Sequence, residues 1–217
     1  TTWAPMTDGK ITSSSIGAIG VCEANPDIVY IGGGESEIRG NIIMGDGLYK
    51  TVDGGQKWEH LPQLRDSQVV AKIRVHPREC NPAWAAVMGH GFGPSAERGI
   101  YKTTDGGKTW KRTLFRDEKT GAAEVVLDPN RPSLLFATLW ESQRFPWGMS
   151  SGGPGSGLFK STDGGDTWTE ITRNQGLPSG LWGKVGVSVS GADSNRVYAL
   201  IEADNGALKR LDVDHID

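Results

Sequence analysis

Nine side chains of this 217-residue sequence are of types that could do chemistry and stand in stretches without strand character: Glu35, Glu37, Arg39, His90, Arg98, Glu141, Arg144, Phe145 and Trp147. Glu35 and Glu141 follow apolar segments ("IVYIGGG" and "LLFATLW") at comparable points. Two carboxylates facing one pocket are the minimal set for glycoside hydrolysis, and their separation decides retention or inversion. The competing reading is that they pair with Arg39 and Arg144 and pin their own loops. Glu37, Arg39, His90, Arg98 and Arg144 would hold the polar groups of a sugar or peptide. Trp147, between Pro146 and Gly148, offers either a flat stacking surface or packing for its loop. His90 could act as a ligand or general acid, or simply hydrogen-bond its loop. His60, His76 and His215 are scattered, and no metal-ligand spacing occurs, so neither metal nor cofactor is expected.

A second set of acidic residues recurs inside a nine-residue word. "KTVDGGQKW" (50–58), "KTTDGGKTW" (102–110) and "KSTDGGDTW" (160–168) each place an aspartate five residues before a tryptophan: Asp53 and Trp58, Asp105 and Trp110, Asp163 and Trp168. Such an aspartate can accept backbone N–H groups ahead of it and close a turn. The Gly-Gly pair supplies positive φ without a Cβ clash, and the tryptophan can pack its ring between sheets. Aspartates on separate hairpins cannot converge on one substrate, so the word is read as structural. "GMSSG" (148–152) matches a nucleophile-elbow pattern, but in a glycine-rich loop without a strand-to-helix turn. "SGGPGSG" lacks the following helix that would let it cradle phosphate.

These residues must be positioned by what lies between them. Trp58, Trp110 and Trp168 recur at intervals of 52 and 58 residues, and Trp3 stands 55 before Trp58. Each unit reads as an apolar segment, a turn rich in Asn and Pro, a second apolar segment, a variable loop, the word and a short strand. The segments are short, rich in Val, Ile, Tyr and Trp, and bounded by Gly, Pro and Asn, which are strand signals. Four strands per unit of about fifty residues is the pattern of a β-propeller blade. The expected fold is all-β: four-stranded antiparallel blades, with the word between strands three and four. The repeats run approximately 4–58, 59–110, 111–168 and 169–217, within one domain or propeller segment over 1–217. "GALKRLDVDHID" reads as a worn fourth word. Residues 1–6 would complete the last blade if four blades close a ring. The alternative is four consecutive blades of a larger propeller.

Composition narrows the partners. Lys and Arg total 23 against 26 Asp and Glu, a net charge of −3, which gives no footprint for nucleic acid. No apolar run is long enough to insert in a membrane. Cys22 and Cys80 are too few for a disulfide framework. A bridge between them is possible, and two buried free thiols are the favoured reading.

With the three words, "SSSIGAIGV", "TGAAEVVLDP" and "SSGGPGSGLFKSTDGG", the chain resembles the Asp-box (BNR) repeat proteins, a class found in sialidases, xyloglucanases, the sortilin ectodomain and a photosystem II assembly factor. It is most similar to large bacterial sortilin-like BNR proteins labelled glycosyl hydrolases. The resemblance covers essentially the whole chain and is specific for fold rather than activity. It implies a secreted or periplasmic protein. The sialidase set of three arginines with a tyrosine and glutamate is not matched, and the xyloglucanase aspartate pair cannot be located. The expectation is therefore a non-catalytic binding or scaffold module, taking a peptide, protein or glycan on its strand two-to-three loops. A homodimer, or the remaining blades of a larger ring, are possible partners. The alternative is a glycoside hydrolase using Glu35 and Glu141.

Overall fold

A computed structural model describes residues 2–204. Three complete antiparallel blades follow one another. Blade one holds β1 (Ile16–Val21), β2 (Val29–Gly33), β3 (Leu48–Thr51) and β4 (Glu59–His60). Blade two holds β5 (Val70–Val75), β6 (Ala83–Val87), β7 (Gly99–Thr103) and β8 (Lys111–Leu114). Blade three holds β9 (Thr120–Leu127), β10 (Leu135–Phe145), β12 (Gly157–Ser161) and β13 (Thr169–Glu170), with β11 (Gly148–Ser151) folded back on the extended end of β10. Blade four contributes β14 (Leu181–Val189) and β15 (Val197–Asp204). A short 3-10 turn, Pro62–Leu64, is the only helical element among the described residues.

The apolar cores lie between blades rather than within them. Tyr30, Leu48 and Leu61 of blade one bury against Val70, Ile73, Ala83 and Ala85 of blade two. Trp84 and Ile100 meet Ala122, Val125, Leu135 and Leu139 of blade three, and Phe136 and Leu158 meet Trp182, Val185 and Val187 of blade four. Fully burying one large apolar side chain contributes about 1.5–3 kcal/mol, so each blade is stabilised chiefly by its neighbours.

The repeated word clasps these layers. In the first copy, Thr51 Oγ1 accepts from the Gly55 N–H (3.0 Å) and donates to Asp53 (2.8 Å), which also accepts from the Lys57 N–H (2.9 Å). Thr103, Asp105, Gly107 and Thr109 repeat this, as do Ser161, Asp163, Gly165 and Thr167. Both glycines of each pair sit at φ between +67° and +91°, where a side chain is strained. The turn then reaches back to the preceding blade. Lys50 Nζ donates to Gly106 O (2.6 Å), Lys102 Nζ to Asp166 (2.8 Å), and the Trp84 indole N–H to Gly164 O (3.0 Å). Trp110 lies in the core between blades one and two, edge-on to Tyr30, and Trp168 donates to Thr113 of blade two.

One expectation is revised. The favoured free thiols are instead a disulfide: Cys22 and Cys80 occupy the strand one-to-two turns of adjacent blades, which brings their Cα atoms to 5.4 Å. The closed ring of four is not formed by the described residues. Residues 2–6 add no strand to β14 and β15; the Met6 carbonyl accepts the Trp58 indole N–H (3.1 Å), the place that Thr113 of β8 takes for Trp168. The third strand and worn word expected for the fourth repeat lie outside the described residues.

Candidate functional site

The strand ends divide the molecule into two poles. At one pole the Asp-containing turns bond to strand one-to-two turns, as where the Gly54 N–H meets Asp27 O and the Gly106 N–H meets Asn81 O. At the other pole the strand two-to-three loops meet the links between blades, as where the Gly45 N–H meets Gln68 O and the Ser95 N–H meets Glu118 O. Every candidate of the first set lies at this second pole.

The loop between β2 and β3 folds across the centre. Its Ile38 and Ile42 pack on Val69, Ala71, Met88, Ala123 and Trp140 of blades two and three. Its Glu37 extends to blade four, where Lys184 Nζ donates to both carboxylate oxygens at 2.8 Å. Glu35 accepts from the Ile43 N–H (3.0 Å) and from Arg39 within the same loop. Those bonds, the Ile43 N–H first, hold its carboxyl below the usual range.

Arg98 is an internal brace. Its guanidinium is almost wholly buried and donates to three carbonyls, those of Lys119 (2.5 Å), His90 (2.8 Å) and Gly93 (3.0 Å). Burial pushes its pKa down, and the charges of Asp117 and Glu141 oppose that shift. His90 is half-buried and enters this brace through its carbonyl. Glu141 accepts from the Gly155 N–H (2.9 Å) beneath a turn so close that a Cβ on Gly153 would meet its carboxyl carbon at 2.3 Å. Arg144 bonds through its backbone N–H to Gly91 O (2.8 Å), and its Nε is buried without a hydrogen-bond partner. Glu35 therefore pairs with Arg39, whereas Glu141 is occupied by its own turn and not by Arg144.

Glu35 lines a shallow recess with Ser15, Gly17, Glu37 and Arg39; Glu141 does not line it. Each of the three loops does expose apolar side chains: Ile43 and Met44, Phe92, and Trp147 and Met149. Trp147 is 85 % exposed at the tip of the β10–β11 hairpin, stacked on Phe145 with centroids 5.6 Å apart and planes 17° from parallel. The hairpin is tied to the blade-two loop through Arg144, and through Gln143, whose amide donates to Phe92 O (3.2 Å).

Sequence reasoning missed the lining of the central axis. A cavity of about 170 Å³ is bounded by Glu37, Lys72, Glu124 and Lys184 among small residues of the four innermost strands. Lys72 lies 3.3 Å and Arg74 3.8 Å from Glu124, whose carboxyl is pushed up by burial against the pull of these two cations. The available signal was charge inside otherwise apolar inner strands: Lys72 and Arg74 in "VAKIRV", Glu124 in "AAEVVL" and Lys184 in "GKVGV". Among the described residues, no three His, Cys, Asp or Glu side chains gather as a metal set.

A propeller of repeated Asp-containing turns, with its loops gathered at one pole, defines the class. Residues 46–210 match the family model described as Sortilin-Vps10 (sortilin, neurotensin receptor 3), and the chain belongs to that family. A xyloglucanase of Hypocrea jecorina (strain QM6a) is 25% identical over 154 residues, covering 71% of this chain and 16% of that protein. Among solved structures, the GH74 enzyme of Niastella koreensis aligns with a TM-score of 0.58 at 22% identity, over 88% of this chain and 26% of its own. An ancestral GH74 enzyme aligns at 0.59 and 18% identity, over 88% and 22%. The chain thus spans about a quarter or less of each, and the structural likeness is one of fold.

Proposed function

We propose that the chain is a binding module that takes an extended ligand, a glycan in the first instance, on its loop pole, without catalysis. The observation that carries this is Trp147, a largely exposed indole backed by Phe145 on a hairpin braced against its neighbour. A rigid, solvent-facing ring is suited to stacking on the apolar face of a sugar, and loops on a fixed scaffold are where propellers bind. Two relatives of the same architecture are GH74 enzymes and a third is a xyloglucanase, which makes a xyloglucan oligosaccharide the first ligand to try. Titration should show saturable quenching of tryptophan fluorescence, and Trp147→Ala should weaken binding roughly tenfold or more, as loss of a central aromatic anchor does. An unchanged affinity in Trp147→Ala would remove the proposal. A peptide or protein ligand on the same surface would show in a parallel peptide titration.

The second reading is a glycoside hydrolase, favoured by the same likenesses. It would use Glu35 and Glu141, with His90 or Arg144 assisting. Release of reducing ends from xyloglucan, abolished in Glu35→Gln or Glu141→Gln with binding retained, would establish it. Export to a periplasmic or extracellular space is part of the proposal. The Cys22–Cys80 disulfide supports it, because such bonds persist in oxidising compartments.

A further inference from the structure

The blades repeat one arrangement at the pole of the Asp-containing turns, so the seams between them can be compared. The N–H that follows each inner strand donates to the carbonyl that precedes the second strand: Cys22 to Ile28, His76 to Pro82, Asp128 to Leu134 and Ser190 to Arg196, all at 2.9–3.0 Å. Two positions before the last three acceptors stand Cys80, Pro132 and Ser194. At two seams the first position of one blade is fastened to the second position of the next. Cys22 bonds to Cys80 across blades one and two, and the Ser194 hydroxyl donates to Asp128 (3.0 Å) across blades three and four. Between blades two and three, both complete, the same pair is His76 and Pro132. A proline side chain offers neither donor nor acceptor, so this seam has no fastening there. It opens instead into a cavity of about 210 Å³ bounded by His76, Glu79, Pro82, Trp84, Lys102 and Pro132.

The walls of this cavity are fixed. The Trp84 N–H is held on Gly164 O, Lys102 on Asp166, and His76 Nδ1 accepts the N–H groups of Arg78 (3.3 Å) and Glu79 (3.1 Å). With Nδ1 an acceptor, the neutral imidazole carries its proton on Nε2. That N–H and the exposed Glu79 carboxylate have no hydrogen-bond partner among the described residues. We propose that this cleft is a binding site for a single neutral sugar ring, at the pole opposite Trp147. A sugar presents a C–H face, which suits Pro82, Pro132 and the Trp84 ring. It also presents hydroxyls, of which one accepts from His76 and another donates to Glu79. Net charge of either sign would be opposed, an anion by Glu79 and a cation by Lys102. The volume is smaller than that of pockets for drug-sized ligands and admits one ring.

Proton NMR of the histidine rings tests this, with methyl glucoside, methyl galactoside and methyl xyloside as probes. The chain has four histidines, and His76→Gln identifies the His76 resonances. At least one probe should move them saturably. Glu79→Gln, an exposed substitution, should weaken that binding about fivefold or more, as the loss of one hydrogen bond does. Probes that leave His76 unmoved overturn the inference, and movement at His90 alone would place the sugar at the loop pole instead. An affinity unchanged in Glu79→Gln overturns it too. The placing of the cleft is checked separately. His76→Cys combined with Pro132→Cys should pair on oxidation, as Cys22 and Cys80 do, with strand circular dichroism retained. Two cysteines that fail to pair in the folded variant would show that this seam is not the counterpart of the other two, and the inference would fall with it.

Discussion

The carboxylates that recur at fixed spacing are engaged by their own backbone, and this gives them a measurable signature. Asp105 accepts from the Thr109 N–H, the Thr109 hydroxyl and the Thr103 hydroxyl, and these bonds lower its pKa to about 2. Asp53 and Asp163 are lowered by the same kind of bonds. An unfolded aspartate titrates near pH 4, at about 3.9, so below that point the unfolded chain binds more protons than the folded one. The stability these groups contribute is therefore present in full above the unfolded value and is lost as pH falls toward the folded one. Urea midpoints should be flat near neutrality and fall from about pH 4 toward 2. Asp105→Asn, whose amide oxygen can keep the N–H bond, should fold at neutral pH and show a shallower acid slope; an identical slope would mean the turn carboxylate is not linked to folding. This role was legible in the sequence because every partner lies within four residues. The setting of Glu35 and Glu141 was less so. Glu35 does take Arg39, four residues on, but Glu141 is held by Gly155 across a β11 excursion that no local pattern announces.

Among the elements, the strand one-to-two turns carry the fastenings between blades. Cys22 and Cys80 join blades one and two. At the same pole Asp128, fully buried, accepts from Ser194 while Asn130 donates to Gly191 O, joining blades three and four through hydrogen bonds. The disulfide closes a loop of 58 residues, and its reduction should lower unfolding stability by about 2–4 kcal/mol. Urea titration with and without a reductant measures this; an unchanged midpoint would show that the blades hold each other without it. The strands themselves were readable from short β-branched runs between Asn-Pro turns, and the blades followed from counting four of them per repeat. The bridge was missed because the number of cysteines was weighed and repeat phase was not: both cysteines stand just before the Asn-Pro turn of neighbouring units. The loops over the central axis were unreadable, since Ile38 and Ile42 are placed by apolar residues of two other blades.

For the molecule as a whole, stability resides in contacts between successive repeats, so damage at one position should be felt one blade further along. Trp84 of β6 is the clearest case, its ring against Gly165 and its N–H on Gly164 O. Trp84→Ala should cost about 3–5 kcal/mol, as removal of a buried tryptophan does. Hydrogen exchange should accelerate at Gly164–Thr167 of blade three while the amides of β1 and β2 keep their protection. Uniform acceleration through all the blades would indicate that they open together. This directional arrangement has a consequence for biosynthesis. Tyr30 is covered only when Gly107 arrives, and Trp84 only when Gly165 does. A chain leaving the ribosome amino end first therefore keeps one aromatic waiting at its growing edge while the earlier ones are already shielded. At that growing edge, the surface on which two nascent chains could stick stays one blade wide throughout synthesis, however many repeats have been added.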